Sequence, residues 1–387
     1  MMPNDEGFLL PVVDKEKCVQ CGMCDKSCPH LQIAAGSGQH SFQDFKDRKA
    51  YLYYSNEEAR KESASGGFIY DLNSLVVARG GYAAGCIWDD EVVARHIVSN
   101  EQRDLQRMQS SKYVQSDMGN CYSEVRKLLK EGKEVVFCGT PCQTAGLHQF
   151  LGKTDRTNLI SVCLICHGVP SPGVWERYKK ILEQKYHGKM IDVNMRDKSY
   201  KGYSTSYVRY TFDCPPARGG RDSDPRTSQN TRNVGMPTYL ADPYLFLFTD
   251  NLYLRNNCTH CAYKGDGNKA DIIVGDFYES TPEAGNLGCS CTIAMTEKGE
   301  QVMQQIQGSV IECPILTVGS VNNMLWKSVK KHPRRDEFFS LYKRGVESSD
   351  LFSQFLPLRF KVKRRLNQLG VFNAYLSLKR RLIHLLS

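Results

Sequence analysis

The chain has 387 residues, of which 24% are charged, and a formal net charge of +9. This length allows a large core and more than one compact unit. No stretch approaches the roughly 18 uninterrupted apolar residues that a membrane span needs, and the beginning MMPNDEGF lacks the basic and apolar regions of a signal peptide. These features predict a cytoplasmic protein.

The positive charge is concentrated near the C-terminus. Eight Lys and Arg residues, and no Asp or Glu, follow Leu351, so the rest of the chain carries about +1, nine minus eight. A nucleic-acid-binding body would need a basic face of its own. The composition therefore predicts no nucleic-acid partner for the body of the protein.

Sixteen cysteines are too many for accidental core residues. Disulfides are rare in a reducing cytoplasm, so metal or cluster ligation is the simpler explanation for part of the set. Cys86, Cys138 and Cys163 lie inside apolar runs, where we expect them to be small buried residues. The same applies to Cys289 and Cys291, which alternate as in a strand.

Residues 1–45 are predicted to form a ferredoxin-like iron–sulfur module. It contains the spacing C-x2-C-x2-C-x3-C-P, in which closely spaced thiolates bind a 4Fe-4S cluster. Gly22 permits the tight turn between ligands, and Pro29 ends the next turn. A structural zinc site usually pairs two separate C-x2-C arms, so zinc is the weaker alternative. The four candidate ligands are Cys18, Cys21, Cys24 and Cys28.

The number of clusters is left open by this single run. In two-cluster ferredoxins the fourth cysteine of each run binds the other cluster. Here Cys28 completes the first cluster itself, or a ligand comes from elsewhere, or an upstream half-motif is missing from the chain.

Residues 46–155 and 156–345 are predicted to be the two parts of one α/β domain with α+β elements and a mainly parallel sheet. β-rich runs alternate with helical stretches of 8–13 residues in this part of the chain, which is typical of such a sheet. The predicted strands are 81–88, 134–138, 159–165, 207–212 and 271–274, and the predicted helices are 63–78, 122–130, 144–150 and 172–186. The polar segment 214–236 is too long for a plain connection, which predicts a lid or a disordered insertion.

Four more cysteines occur in contexts typical of loops: Cys142, Cys166, Cys258 and Cys261. Cys142 and Cys166 each follow a predicted strand, so in a parallel sheet both emerge at one edge. The C-x2-C pair at 258–261 could complete the set. We interpret the four as ligands of a second 4Fe-4S cluster, with zinc as the alternative.

Two turns before helices could bind phosphate groups of a cofactor. Ser63-Ala-Ser-Gly-Gly67 and Gly139-Thr-Pro-Cys-Gln143 each precede a predicted helix, where free amides and the positive helix end favour anions. Lys112 and Tyr113 could add a cation and a ring, although Lys112 taken alone is interpreted as a solvated surface lysine. Gly275 and Asp276 follow a predicted strand, at a position where the carboxylate could contact a ribityl chain, a cluster-side loop or substrate, and a turn-forming Asp is the alternative.

Together, these segments resemble the beta subunit family of coenzyme F420 hydrogenases and dehydrogenases over about residues 8–340. The segments that carry the resemblance are 7–14, 63–67, 111–115, 139–143, 166–172, 196–198, 255–258 with Cys261, and 271–276. The resemblance implies a mixed-sheet flavin-binding domain in which FAD exchanges hydride with a small molecule and passes single electrons through 4Fe-4S clusters to a redox partner.

Carried over by position, the resemblance implies two sets of site residues. The predicted cofactor-binding residues are Ser65, Gly66, Gly67, Lys112, Tyr113, Gly139, Thr140, Pro141, Gln143, His167, Gly275 and Asp276. The inner cluster is predicted at Cys142, Cys166, Cys258 and Cys261. A non-catalytic 4Fe-4S electron-transfer subunit without flavin is the alternative, and a zinc-stabilised interaction protein is a third class.

The tail, residues 346–387, mixes apolar side chains with Arg and Lys at helical spacing. Such a helix either docks on the body with its basic face in solvent, lies on an anionic membrane surface, or contacts a partner subunit.

Overall fold

The computed structural model describes residues 1–31, 41–199, 202–203, 207–214, 231–237, 241–279, 284–346 and 348–369. Within these residues, an eight-stranded mixed sheet forms the centre, beside a three-stranded antiparallel sheet and a two-stranded N-terminal ribbon. The α/β class predicted from the alternation of strands and helices is therefore confirmed.

The strands lie in chain order as follows: β1 Met2–Pro3, β2 Leu9–Leu10, β3 Lys49–Tyr54, β4 Tyr82–Trp88, β5 Ala94–Ser99, β6 Val135–Gly139, β7 Leu159–Leu164, β8 Lys189–Asp197, β9 Tyr207–Asp213, β10 Thr231–Pro237, β11 Ile272–Phe277, β12 Cys289–Ala294 and β13 Ser309–Cys313.

The helices in the described residues are α1 Met23–Ser27, α2 Glu57–Glu62, α3 Phe68–Ala78, α4 Gln102–Met108, α5 Cys121–Lys130, α6 Pro141–Leu151, α7 Pro172–Tyr186, α8 Pro243–Thr249, α9 Glu297–Gln305, α10 Ile315–Val321, α11 Arg335–Lys343, α12 Ser348–Ser353 and α13 Leu358–Gln368.

The large sheet has the order β13-β3-β12-β11-β7-β6-β4-β5. Only β11, β7, β6 and β4 are joined by parallel pairs, while all the flanking pairs are antiparallel. The prediction of a mainly parallel sheet is therefore wrong outside this centre, because β12 follows β11 as its antiparallel neighbour and the N-terminal strand β3 lies between β12 and β13, antiparallel to both. Since β3 is antiparallel to β12, and β12 to β11, strand β3 runs in the direction of β11.

Most predicted elements agree with the structure within a few residues, but two segments differ. Gly275 and Asp276, predicted to follow a strand, lie inside β11 and pair with Cys291 and Ser290 of β12. The end of the polar segment 214–236 belongs to β10, which pairs with β9. The remainder of that segment, residues 215–230, lies outside the described residues.

The first part of the predicted tail packs on the body of the protein. Leu351, Phe352, Phe355, Leu356 and Phe360 are buried in the same core as α7 and α11. This fits a docked terminal helix for these residues, whereas 370–387 lie outside the described part of the chain. No helix among the described residues is both long and apolar enough to span a membrane. The four-part division into domains remains a prediction.

Candidate functional site

A cavity of about 630 Å³ lies at the sheet edge where β3, β4, β6, β7 and β11 end. Ligands of α/β sheets bind at such an edge. We call it the main cavity. Its wall includes most of the predicted cofactor residues: Ser65, Gly67, Lys112, Tyr113, Gly139, Thr140, Gln143, His167, Gly275 and Asp276.

Gly66 and Pro141 are not part of this wall, and both have structural roles. A Cβ on Gly66 would lie 2.2 Å from the carbonyl oxygen of Tyr53, so glycine is required there by packing against the sheet. Pro141 occupies the first turn of α6, where its missing N–H costs nothing. Packing explains the glycine at position 66 and helix geometry explains the proline at position 141, without a direct contact of either residue to a cofactor.

The turn before α3 is fixed by contacts within the protein. The Ser65 hydroxyl donates to the carbonyl of Cys289 at 2.6 Å, so it does not cap the helix. Gly67 has φ of 91°, a left-handed conformation that favours glycine. The first amides of a helix have no helical partner, and Phe68, Ile69 and Tyr70 of this first turn line the main cavity. The turn thus offers backbone donors rather than hydroxyls.

Lys112 is half-buried, so its interpretation as a solvated surface lysine is wrong. Its Nζ donates to the carbonyls of Arg107 at 2.7 Å and Gln109 at 2.5 Å, at the C-terminal end of α4. The negative end of a helix stabilises such a cation. Burial lowers the pKa of Lys112 to about 8. The cavity wall therefore has a fixed ammonium group beside Cys86 and Cys138.

Tyr113 and His167 form an aromatic part of the wall with Phe248. The ring centroids of Tyr113 and Phe248 are 4.9 Å apart in a stacked arrangement, and His167 meets Phe248 edge-on at 5.2 Å. His167 Nε2 lies 2.7 Å from Asn251 Oδ1, so an acceptor oxygen fixes the proton on Nε2. Burial lowers the pKa of His167 and keeps the ring neutral.

Asp276 is held by Arg196 across a distance of 3.0 Å, with both side chains largely buried. A cofactor hydroxyl would therefore meet a carboxylate that already has a cationic partner. This pairing explains why an acidic residue is tolerated inside β11.

A polar chain on the opposite wall was missed by the sequence analysis. The Gln143 amide donates to Ser116 Oγ at 2.8 Å, and Ser116 Oγ lies 2.9 Å from His96 Nδ1. His96 Nε2 faces the carbonyl of Cys138 at 3.2 Å, which places the proton on Nε2. Burial lowers the pKa of His96 to about 4. The chain fixes Gln143, whose Oε1 also accepts from the Thr140 amide at 2.9 Å.

The outer thiols, which are Cys18, Cys21, Cys24 and Cys28, lie at the N-terminal surface. The first three are exposed and Cys28 is half-buried. Gly22 has φ of 67°, as expected for the tight turn between ligands. Cys24 and Cys28 line the main cavity. The outer thiols therefore extend from the protein surface to the wall of the main cavity.

The inner thiols, which are Cys142, Cys166, Cys258 and Cys261, lie on three segments that meet at the main cavity. Cys142 and Cys261 pack against the same pair of side chains, Ala145 and Tyr263. A Cβ on Gly168 would lie 3.5 Å from the Cβ of Cys258, which shows how closely the Cys166 segment approaches that turn. The structure thus brings the four predicted ligands into one region.

Two cations accompany the inner thiols, the buried Lys264 and the half-buried Arg255. Lys264 is 4% exposed, and its Nζ donates to the carbonyl of Cys166 at 2.7 Å and to that of Met324. Burial lowers the pKa of Lys264, while Cys166, Cys261 and Cys258 act in the opposite direction. Burial also lowers the pKa of Arg255, while Cys142, Cys258 and Cys28 act to raise it. Among the described residues neither cation has a carboxylate partner.

Arg255 also fixes the N-terminal module on the body. Its guanidinium contacts His30 Nε2 and donates to the carbonyl of Leu9 at 3.0 Å. Tyr263 OH donates to the carbonyl of Pro29 at 2.9 Å. Segments on both sides of the outer thiols are therefore bound to the turn that carries Cys258 and Cys261.

No three Cys, His, Asp or Glu side chains of the described residues converge as they would around a single metal ion. Ligands of a 4Fe-4S cluster bind different iron atoms of a polyatomic group, so they need not converge on one point.

These features define an iron–sulfur protein of an oxidoreductase class. Residues 11–33 match the 4Fe-4S binding domain, which includes all the outer thiols. Residues 132–314 match the C terminus of the coenzyme F420 hydrogenase/dehydrogenase beta subunit, which includes all the inner thiols. These two matches confirm the predicted resemblance to the coenzyme F420 hydrogenase/dehydrogenase beta subunit family.

Among solved structures, the chain is similar to one from the xenon-derivatised F420-reducing [NiFe] hydrogenase complex of Methanosarcina barkeri. The TM-score is 0.41 at 14% sequence identity, over 82% of this chain and 92% of that chain. This similarity supports no conclusion about function. No curated protein matches the chain.

Proposed function

We propose that this protein is an FAD-containing iron–sulfur oxidoreductase that passes electrons between a small-molecule hydride donor or acceptor and a redox partner protein. FAD would lie in the main cavity, one 4Fe-4S cluster at the outer thiols and another at the inner thiols. The observation that carries the proposal is the main cavity, whose wall includes ten predicted cofactor residues, all four inner thiols, and Cys24 and Cys28 of the outer thiols.

The size and lining of the main cavity fit a flavin. Its volume of about 630 Å³ lies within the usual range of cofactor sites. The α3 amides offer donors for phosphate oxygens, while Tyr113 and Phe248 provide a ring surface for an aromatic group. When bound, FAD would convert two-electron into one-electron chemistry.

The surroundings of the inner thiols fit a cluster. Four thiolates give such a group negative charge, and buried charge is stable only when it is compensated. Lys264 and Arg255 supply two positive charges beside the thiols. Without a negative group, the partners of these two cations among the described residues would all be uncharged: backbone carbonyls, His30, Gln115 and the Phe8 ring.

The protein side chains have positioning roles in this proposal. Lys112 holds a positive charge at the cavity wall, and Gln143 is fixed by Ser116 and Thr140. Arg255 holds the outer thiols beside the inner ones. The exposed outer thiols provide the place at which a partner protein would approach.

The test is an anaerobic ultraviolet–visible spectrum of the purified protein, with iron, sulfide, zinc and released-flavin assays on the same sample. We expect broad iron–sulfur absorption and bound FAD. Clusters without flavin, even after FAD is added, would instead support the non-catalytic electron-transfer subunit. Zinc without iron would contradict both interpretations.

A variant pair tests the flavin separately from the clusters. Lys112→Met should weaken FAD binding by about tenfold, since it removes the charge at the cavity wall. Lys179 is also buried, but it pairs with Glu176 at 2.8 Å outside the cavity. Lys179→Met should leave FAD binding unchanged. Equal effects of the two substitutions would contradict the role of Lys112.

A further inference from the structure

A second cavity of about 590 Å³ lies at the end of the three-stranded sheet. Its volume is within the range of small-molecule sites. A register shift between β8 and β9 at Asn194 and Asp197 turns side chains of this strand end into the cavity. The residues used below, Asn194, Asp197, Lys198 and Arg209, line it together with Glu62.

Two buried cations lie beside this cavity, and their described partners are backbone carbonyls and, for Arg60, the Tyr54 ring at 5.3 Å. Lys198 is 3% exposed, and its Nζ donates to the carbonyls of Ser65 at 2.8 Å and Leu287 at 2.6 Å. Arg60 is 6% exposed and donates to the carbonyls of Ala284 and Gly288. Within the described residues neither forms an ion pair. A buried cation without a counter-charge is costly, so this region favours an anion.

The cavity wall carries donors that the protein does not use. Lysine has three N–H donors, and two of those of Lys198 are engaged. Asn194 Oδ1 accepts from Ser110 Oγ at 2.7 Å and from the Arg196 amide at 3.0 Å, and these contacts leave the Asn194 NH2 group for a ligand.

Arg209 adds a guanidinium that is oriented by the protein. Its Nε donates to Asp197 at 2.6 Å and its Nη1 to Thr211 at 3.3 Å, which leaves Nη2 unused among the described contacts. Asp197 is occupied by this pair and by Ser199, so its charge is compensated. Glu62 is exposed at the opening. The described lining has three cations, Lys61, Lys198 and Arg209, against the carboxylates of Glu62 and Asp197, a net charge of +1 from three minus two. The exposed Asp192, 3.7 Å from Arg209, is not part of this wall.

We propose that the second cavity binds the phosphate or carboxylate group of a small molecule, at a site separate from the main cavity. Ammonium, guanidinium and amide donors are the groups that bind such oxygens best. The two cavities share a wall, because Lys198 bonds to Ser65 and Asn194 to Ser110, both of which line the main cavity. The proposal does not require the flavin or the clusters to be present.

The test is binding of inorganic pyrophosphate to the purified full-length protein, measured by isothermal titration calorimetry. Lys198→Met should weaken binding about tenfold or more, and Lys198→Arg, which retains the charge, should weaken it less than about threefold. Lys179→Met, which removes a buried lysine from another part of the protein, should bind like the unmodified protein.

A second variant keeps the test conclusive if Lys198→Met does not fold. Asn194→Asp retains the acceptor for Ser110 and adds a negative charge at the wall, so it should also weaken binding about tenfold. Melting temperature and iron content report whether each variant is folded. Unchanged binding in both variants would overturn the proposal, and so would an equal loss in Lys179→Met.

Titration in the presence of saturating FAD distinguishes the source of the anion. Retained pyrophosphate binding supports a second ligand at this cavity. Release of pyrophosphate by FAD would overturn the separate site, because the anion would then belong to the flavin diphosphate.

Discussion

The outer and inner thiols have opposite surroundings although both sets are predicted to bind the same kind of cluster. Three of the outer thiols are exposed, beside the exposed side chains of Val19 and Met23. The inner thiols are all half-buried, and burial raises the pKa of Cys258 to about 12. Solvent exposure and nearby charge are what tune the potential of a cluster. The difference suggests separate electrochemical roles for two chemically similar sites.

The two sets of thiols are also held in place by different contacts. The outer thiols lie on a short helix and turn whose position depends on contacts of residues 8–9 and 29–30. Cys142 lies in the first turn of α6 directly after β6, Cys166 lies in the loop after β7, and Cys258 and Cys261 lie in and just after a short 3-10 helix that follows Leu254. Under the proposed function, the outer site exchanges electrons with a partner, and the inner site is shielded beside the flavin.

The largest expected effect is loss of one cluster from each set of thiols. Cys18→Ser and Cys166→Ser should each remove about half of the iron and sulfide, because two clusters of equal size are proposed. Cys18→Ser should leave the inner cluster and FAD in place. Iron and sulfide assays with electron paramagnetic resonance of the reduced protein provide the measurement.

Cys289→Ser is the matched control for this comparison. Cys289 is 1% exposed on β12 and packs against the sheet, so its substitution should retain all the iron. If Cys18→Ser and Cys166→Ser each removed all the iron, the thiols would form one shared site and the two-cluster proposal would be wrong. Cys28→Ser tests whether Cys28 is a ligand of the outer cluster. We expect it to remove the electron paramagnetic resonance signal of the outer cluster alone.

The sequence predicted the strands that carry the inner thiols because their signals are local. The apolar runs before Cys142 and Cys166 became β6 and β7, and their parallel pairing brought both thiols to one edge, as predicted. The strand at Gly275 and Asp276 depends on their pairing with Cys291 and Ser290 of β12, which lies outside the segment from which the end of the strand was predicted. Local patterns do not contain such pairings.

Side-chain roles at the site were less predictable than the location of the site. Gly66 was predicted to bind the cofactor, but its Cβ position is occupied by the backbone of Tyr53. Lys112 is surrounded by carbonyls that only the folded end of α4 provides. Arg255 and Lys264 flank the Cys258–Cys261 pair in sequence, and this basic flanking was the available signal for their role.

The second expected effect concerns the connection between the two sites. Arg255→Met should weaken attachment of the N-terminal module by about 2 kcal/mol, because it removes charge-assisted hydrogen bonds to His30 and Leu9. Hydrogen exchange of the Leu9 amide, which donates to Gln115 at 2.9 Å, should become faster in the variant. The inner cluster should retain its iron.

Arg334→Met is the control for this substitution. Arg334 is exposed and pairs with Glu337 at 2.8 Å, an arrangement that contributes little to stability. Its substitution should leave the exchange of Leu9 unchanged. Equal exchange rates in the two variants would show that Arg255 does not hold the outer site in place.

The smallest expected effect is a shift in the potential of the inner cluster. Lys264→Met removes a buried positive charge beside Cys166 and Cys261. An added electron is then less stabilised, so the midpoint potential should fall by about 100 mV, given the interaction of a unit charge over a few ångströms at an intermediate dielectric. Lys264→Arg keeps the charge and should lie within about 30 mV of the unmodified protein. A redox titration followed by electron paramagnetic resonance measures both clusters in one sample. Because Lys264 is buried at the inner thiols, the midpoint potential of the outer cluster should remain unchanged. An equal shift of both potentials would show that Lys264 does not act on the inner cluster in particular.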